Sequence, residues 1–156
     1  MVLDIFWHPP VDLRNGRQDG LILTCDLDRI PDKAGIYAFC LMFGEKIEPL
    51  YIGRGANLRS RINGHFKSSV RLMQQITAAK AGQKVVLPAE WKPKSGQQEE
   101  SALTVIEAAL IKFAIAEGHD LFNVQGTKRS VHTINSSGNR NGCPHLFHRS
   151  IMMEKR

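Results

Sequence analysis

The chain has 156 residues, 42% hydrophobic and 23% charged, with 21 lysines and arginines against 15 acidic side chains and a net charge of +6. That length supports one domain with a core of its own, and apolar residues spread throughout exclude wholesale disorder. No apolar run approaches the roughly 20 residues of a membrane helix; Met1 to Pro10 shows no basic region followed by an apolar stretch, so no secretory signal is visible and a soluble, cytoplasmic protein is expected.

The first apolar run, Asp4 to Trp7, stops at Pro9-Pro10, and turn residues follow from Arg14-Asn15-Gly16 to Asp19-Gly20. Leu21 to Cys25 reads as a strand, and Ile30-Pro31-Asp32-Lys33-Ala34 as a turn. Gly35 to Phe43 is a continuous apolar run, Gly44-Glu45-Lys46 a turn, and Pro49 precedes Leu50-Tyr51-Ile52-Gly53. Two strands across a short polar connection predict an antiparallel hairpin. After Gly53 the period becomes helical: Asn57 is the predicted N-cap, with Leu58, Ile62 and Phe66 inward. Val70, Leu72, Met73, Ile76 and Ala79 predict a second helix closed by Gly82. Val85-Val86-Leu87 predicts a third strand, ended by Pro88. Ser95 with Gln98 has the capping-box pattern, opening a long helix from about Gln98 to Glu117 with Gly118 as C-cap. From Thr127 onward the chain is polar and basic with little periodicity.

Charge is unevenly placed. Residues 51–80 carry six basic and no acidic side chains, and residues 127–156 carry six basic ones against Glu154 alone, while the remainder is mildly acidic. Cys25, Cys40 and Cys143 lie far apart and form no C-x-x-C element, which excludes a disulfide framework.

Three features invite a chemical reading beside a structural one. Tyr37 and Tyr51, the only tyrosines, fall on the two hairpin strands; strand tyrosines are commonly packing residues with a satisfied hydroxyl. Arg61 and His65 stand four apart on one helix, a cation beside an acid/base group suited to a phosphate, or simply a solvated basic flank. Glu107 has Leu103, Leu110 and Ile111 as helical neighbours, so its carboxylate needs a cation, a proton or a buried arginine partner.

Taken in order, Gly35-Ile36-Tyr37, Tyr51-Ile52-Gly53, Arg61, His65, Glu107 and Asn123 resemble the GIY-YIG nuclease superfamily over roughly residues 28–126. The spacing of Arg61 and His65 after Tyr51 and the approach through Ile30-Pro31 also fit the family. The gap between the two tyrosines is at the long end, and Gly55 replaces a frequent Ser or Thr. The resemblance implies an α/β (α+β) fold with a small central three-stranded antiparallel sheet flanked by helices. It divides the chain into an N-terminal extension packing on the core (1–27), the nuclease domain (28–126) and a basic C-terminal extension (127–156).

It further implies hydrolysis of DNA phosphodiester bonds with one divalent metal. Glu107 would hold Mg²⁺ or Mn²⁺. Tyr37 would act as general base, which requires nearby cations because phenol has a pKa near 10. Arg61 would stabilise charge on phosphorus and Tyr51 would orient water or phosphate. His65 would take the tyrosine proton or contact phosphate, and Asn123 would support the site. Arg54, Arg59, Lys67, Arg71, Lys128, Arg129 and Arg140 are the candidate DNA contacts. Cutting both strands would require a dimer on DNA or two encounters. The competing readings are a DNA-binding module without activity and a nuclease toxin or effector. Cys143, His145 and His148, with His132, form a weak zinc set; a basic surface tail is the favoured reading of that region.

Overall fold

The computed structural model describes residues 1–79, 82–123, 132–138 and 150–153. Among these residues it is a mixed α/β fold with one large sheet and three α-helices. The strands are β1 (Val2–Trp7), β2 (Val11–Asp12), β3 (Arg14–Asn15), β4 (Leu23–Thr24), β5 (Gly35–Phe43), β6 (Lys46–Gly55), β7 (Gln83–Lys92), β8 (His132–Gly138) and β9 (Ser150–Met153). The helices are α1 (Leu58–Ser68), α2 (Val70–Ala78) and α3 (Glu99–Ala116). The large sheet runs β6-β5-β7-β1-β8-β9, with β2 also on β7, and β3 and β4 form a separate pair.

The continuous apolar run of β5 is explained by burial on both faces. Ile36, Ala38 and Cys40 join the core on one side, shared with Ile106, Ala109, Leu110 and other α3 residues. Tyr37, Phe39 and Leu41 join the opposite core, shared with Leu58, Ile62 and Phe66 of α1 and Met73 and Ile76 of α2. The sheet therefore separates α3 from the α1–α2 pair. Asn57 caps α1 as its position predicts, its side-chain oxygen accepting from the Ser60 N–H at 3.0 Å. No helix among the described residues is long and apolar enough to cross a membrane.

Four expectations need correction. The sheet has seven strands, not three: β6, β5 and β7 are neighbours, but β1, β2, β8 and β9 enlarge it, and the β1–β8 pairing is parallel within an otherwise antiparallel sheet. Pro88 does not end the third strand. β7 pairs β2 at Val85 and Val86 and β1 from Ala89 to Lys92, and the Pro88 carbonyl accepts from His8 N–H at 2.9 Å. The missing proline N–H thus faces the break between those two partners, where no ladder bond is lost. The Ser95/Gln98 capping box does not form; Gln98 occupies the N-cap of α3 without a side-chain cap bond. Finally, His132–Gly138, read as aperiodic tail, is strand β8. Its polar residues bond to β1: Asn135 Nδ2 donates to Asp4 Oδ1 at 3.0 Å, and the Trp7 indole N–H donates to the Ser136 hydroxyl.

Candidate active site

Strand register decides which way each tyrosine faces. Phe39 pairs with Tyr51, and the next β5 residue, Cys40, pairs with Pro49, so Leu50 is the extra residue of a β-bulge. Ile47 and Ile52, five apart, consequently lie on the α3 face, while Leu50 and Tyr51 lie on the α1–α2 face with Tyr37. Under strict alternation from Ile47, Tyr51 would have pointed to the other side of the sheet. The Tyr37 and Tyr51 rings stack with centroids 6.3 Å apart, and His65 stands edge-on to both at 5.5 and 5.6 Å.

The glycines of the hairpin make room for this arrangement. A β-carbon on Gly53 would lie 2.3 Å from the Tyr37 hydroxyl oxygen, and one on Gly55 would lie 2.8 Å from Arg61 Cβ. Gly55, the departure from the frequent Ser or Thr, thus allows the arginine stem to lie against the strand end.

His65 is buried, not on a solvated flank. Its Nε2 is hydrogen-bonded to the Tyr37 hydroxyl and its Nδ1 lies 2.7 Å from the Ser69 hydroxyl, at the junction of α1 and α2. Burial, with Arg61 nearby, lowers the imidazole to about 4, so the ring is neutral near pH 7. Burial pushes the Tyr37 phenol well above its ordinary value; Tyr51 adds to that shift and Arg61 opposes it. Tyr37 is therefore protonated at rest. A neutral imidazole has one donor and one acceptor nitrogen, and the Tyr37 and Ser69 hydroxyls partner the two. Ser69 was not among the sequence candidates, although its i+4 spacing from His65 was a signal available in the sequence.

Glu107 is half-buried on α3, and its carboxylate accepts from Arg54 Nη1 at 2.9 Å; Arg54 Nη2 also reaches Glu100 Oε1 at 2.8 Å. The arginine partner weighed for Glu107 is thus present, and Arg54 spends its guanidinium on two carboxylates. Burial raises the Glu107 carboxyl, against Arg54 and Arg61, while Glu100 raises it further. Arg61 is exposed, yet close enough to both Tyr37 and Glu107 to lower the pKa of each. Its charge thus acts on both the tyrosine and the carboxylate.

Asn123 clamps the edge strand. Its Oδ1 accepts from the Ile52 N–H at 3.2 Å and its Nδ2 donates to the Ile52 carbonyl, so the side chain takes up both backbone groups of the residue after Tyr51. Of the basic candidates, Lys67 and Arg71 are exposed, while Arg59 donates from Nε to the Ile30 carbonyl at 3.0 Å. Lys128, Arg129, Arg140 and the Cys143/His145/His148 set lie outside the described residues, as does the side chain of His132.

No group of three or more His, Cys, Asp or Glu side chains that could hold a metal occurs among the described residues. A single carboxylate nevertheless suits Mg²⁺, which keeps most of its waters and is held by one or two carboxylates together with substrate phosphate. Glu107 is a carboxylate of that kind, and in this structure it is paired with Arg54. Comparison of the chain with protein-family models, with curated proteins and with solved structures finds no match.

Proposed function

We propose that this protein is a divalent-metal-dependent endonuclease that hydrolyses DNA phosphodiester bonds through a GIY-YIG-type site. The observation that carries the reading is the convergence of Tyr37, Tyr51, Arg61 and His65 on one end of the sheet, with Arg61 acting electrostatically on Glu107 as well. These residues come from β5, β6, α1 and α3, and a purely structural cluster has no need of an exposed cation acting on both a phenol and a carboxylate.

In this mechanism water attacks phosphorus and one P–O ester bond breaks. A raised phenol is a weak base by itself, so Tyr37 works as a relay: it accepts a proton from the attacking water as it passes its own to Nε2 of His65. Ser69 holds the imidazole in the tautomer that leaves Nε2 bare. Arg61 stabilises the negative charge that builds on the phosphate, and Tyr51 orients it by hydrogen bonding. Mg²⁺ or Mn²⁺ on Glu107, when bound, supplies Lewis-acid charge at the phosphate and the leaving oxygen.

The test is incubation of the purified chain with Mg²⁺ or Mn²⁺ and plasmid, linear and branched DNA. Cleavage is expected, and Glu107→Ala or Arg61→Ala should abolish it while preserving the fold and much of the DNA affinity. Absence of cleavage on every substrate would overturn the enzymatic reading. The Arg54–Glu107 pair favours one second reading, a DNA-binding module in which the carboxylate is structural. Binding without cleavage by the unaltered chain would select it.

A further inference from the structure

Beside the tyrosines, a groove of about 590 Å³ opens at the junction of α1 and α2. Its size falls in the range of small-molecule sites, roughly 300–1,000 Å³. Tyr51 and His65 form its inner end, so it is continuous with the proposed reaction centre. The lining also includes Phe122 and Val70, which are 38% and 54% exposed, and the polar Arg71 and Gln75. Phe122 is held in place: its N–H donates to the Leu50 carbonyl at 2.7 Å, immediately before Tyr51, and the adjacent Asn123 is clamped to Ile52. A large aromatic is thus kept in partial contact with water beside a reactive site. Tyr51 to Ala79, the stretch that supplies every lining residue except Phe122, has no acidic side chain, and the lining itself holds one cation, Arg71.

Resting on the nuclease reading, we propose that this groove receives one unpaired nucleobase of the DNA strand being cut, from the nucleotide next to the scissile phosphate. Phe122 offers the stacking face, Gln75 carries both a donor and an acceptor for a base edge, and Arg71 meets the neighbouring phosphate. A base stacked and paired inside a duplex reaches such a groove only by being flipped out, at a cost of about a few kcal/mol that an unpaired base does not carry. The enzyme would therefore prefer flaps, gaps or single strands to continuous duplex.

The experiment reads binding without cleavage. The full chain is titrated, in chelator, against an oligonucleotide with 2-aminopurine in an unpaired flap and against the same sequence fully paired. The expected result is quenching of the unpaired probe on binding and an affinity on the order of tenfold tighter than for the duplex. Phe122→Ala should remove the quenching and bring the two affinities together while duplex binding persists, and Phe122→Trp should restore both. Gln75→Ala, at a half-buried site on another element, should reduce the preference without removing quenching. Equal affinities in the unaltered chain, or a preference unmoved by Phe122→Ala, would overturn the groove assignment and leave the nuclease reading standing. Failure to bind either DNA would overturn both.

Discussion

At the scale of single residues, the burial of His65, with Arg61 nearby, keeps its imidazole neutral and makes stability depend on pH. The His65 value is lowered from 6.5 to about 4, so between those limits the unfolded chain binds a proton that the folded chain refuses. Stability from this group is fully present above pH 6.5 and is lost as pH falls towards 4. Urea denaturation at a series of pH values should show the midpoint dropping across that window. His65→Gln, whatever its offset in stability, should flatten the slope there, and an unchanged slope would contradict the buried, neutral imidazole. These side chains were legible in the sequence as types and spacings, because Tyr37, Tyr51, Arg61, His65, Glu107 and Asn123 stand in a recognisable order. Their partners were not. Arg54 meets Glu107 across 53 positions of sequence, and no local pattern in either segment reports such a contact.

At the scale of elements, α1 is central to the proposed function, since it carries both Arg61 and His65 and begins at a side-chain cap. Asn57→Ala removes the bond to the Ser60 N–H and should cost about 1 kcal/mol of stability. The same loss should loosen the turn that aims Arg61 and so reduce cleavage. Chemical denaturation and cleavage rates on one substrate check the two effects, and full activity in the variant would show that the turn does not depend on its cap. The β5–β6 hairpin, α1 and α3 were readable because periodicity and turn residues are local. Pro88 was misread because only the change of partner from β2 to β1 makes a proline harmless inside a strand. The bulge at Leu50 was equally hidden: Pro49 marks an irregularity, but the direction of Tyr51 follows from pairing with β5.

At the scale of the whole molecule, one of the two basic segments of the sequence lies among the described residues. Arg61, Lys67 and Arg71 are exposed on the α1–α2 side, in a stretch without acidic residues, while Arg54 and Arg59 are engaged internally. These three exposed cations predict a contribution of about −3 to the slope of the logarithm of DNA affinity against that of salt concentration, lost when all three are replaced by alanine. Fluorescence anisotropy over a salt series measures it. A contribution near zero would remove this face from DNA binding, and Glu107→Ala should leave the slope unchanged. The large sheet was the least legible feature, because β8 is polar and pairs with a strand at the other end of the chain. That parallel pairing, Val2 to Trp7 against Thr133 to Gly138, also carries a consequence for biosynthesis. β1 leaves the ribosome first and is completed last. At roughly 5–20 residues per second, translation imposes a wait on the order of ten seconds before β8 can emerge. For that interval the hairpin and α1 can assemble while β1 lacks first both of its neighbours and then, once β7 has paired, β8, which leaves an open edge to which a strand of another molecule can add.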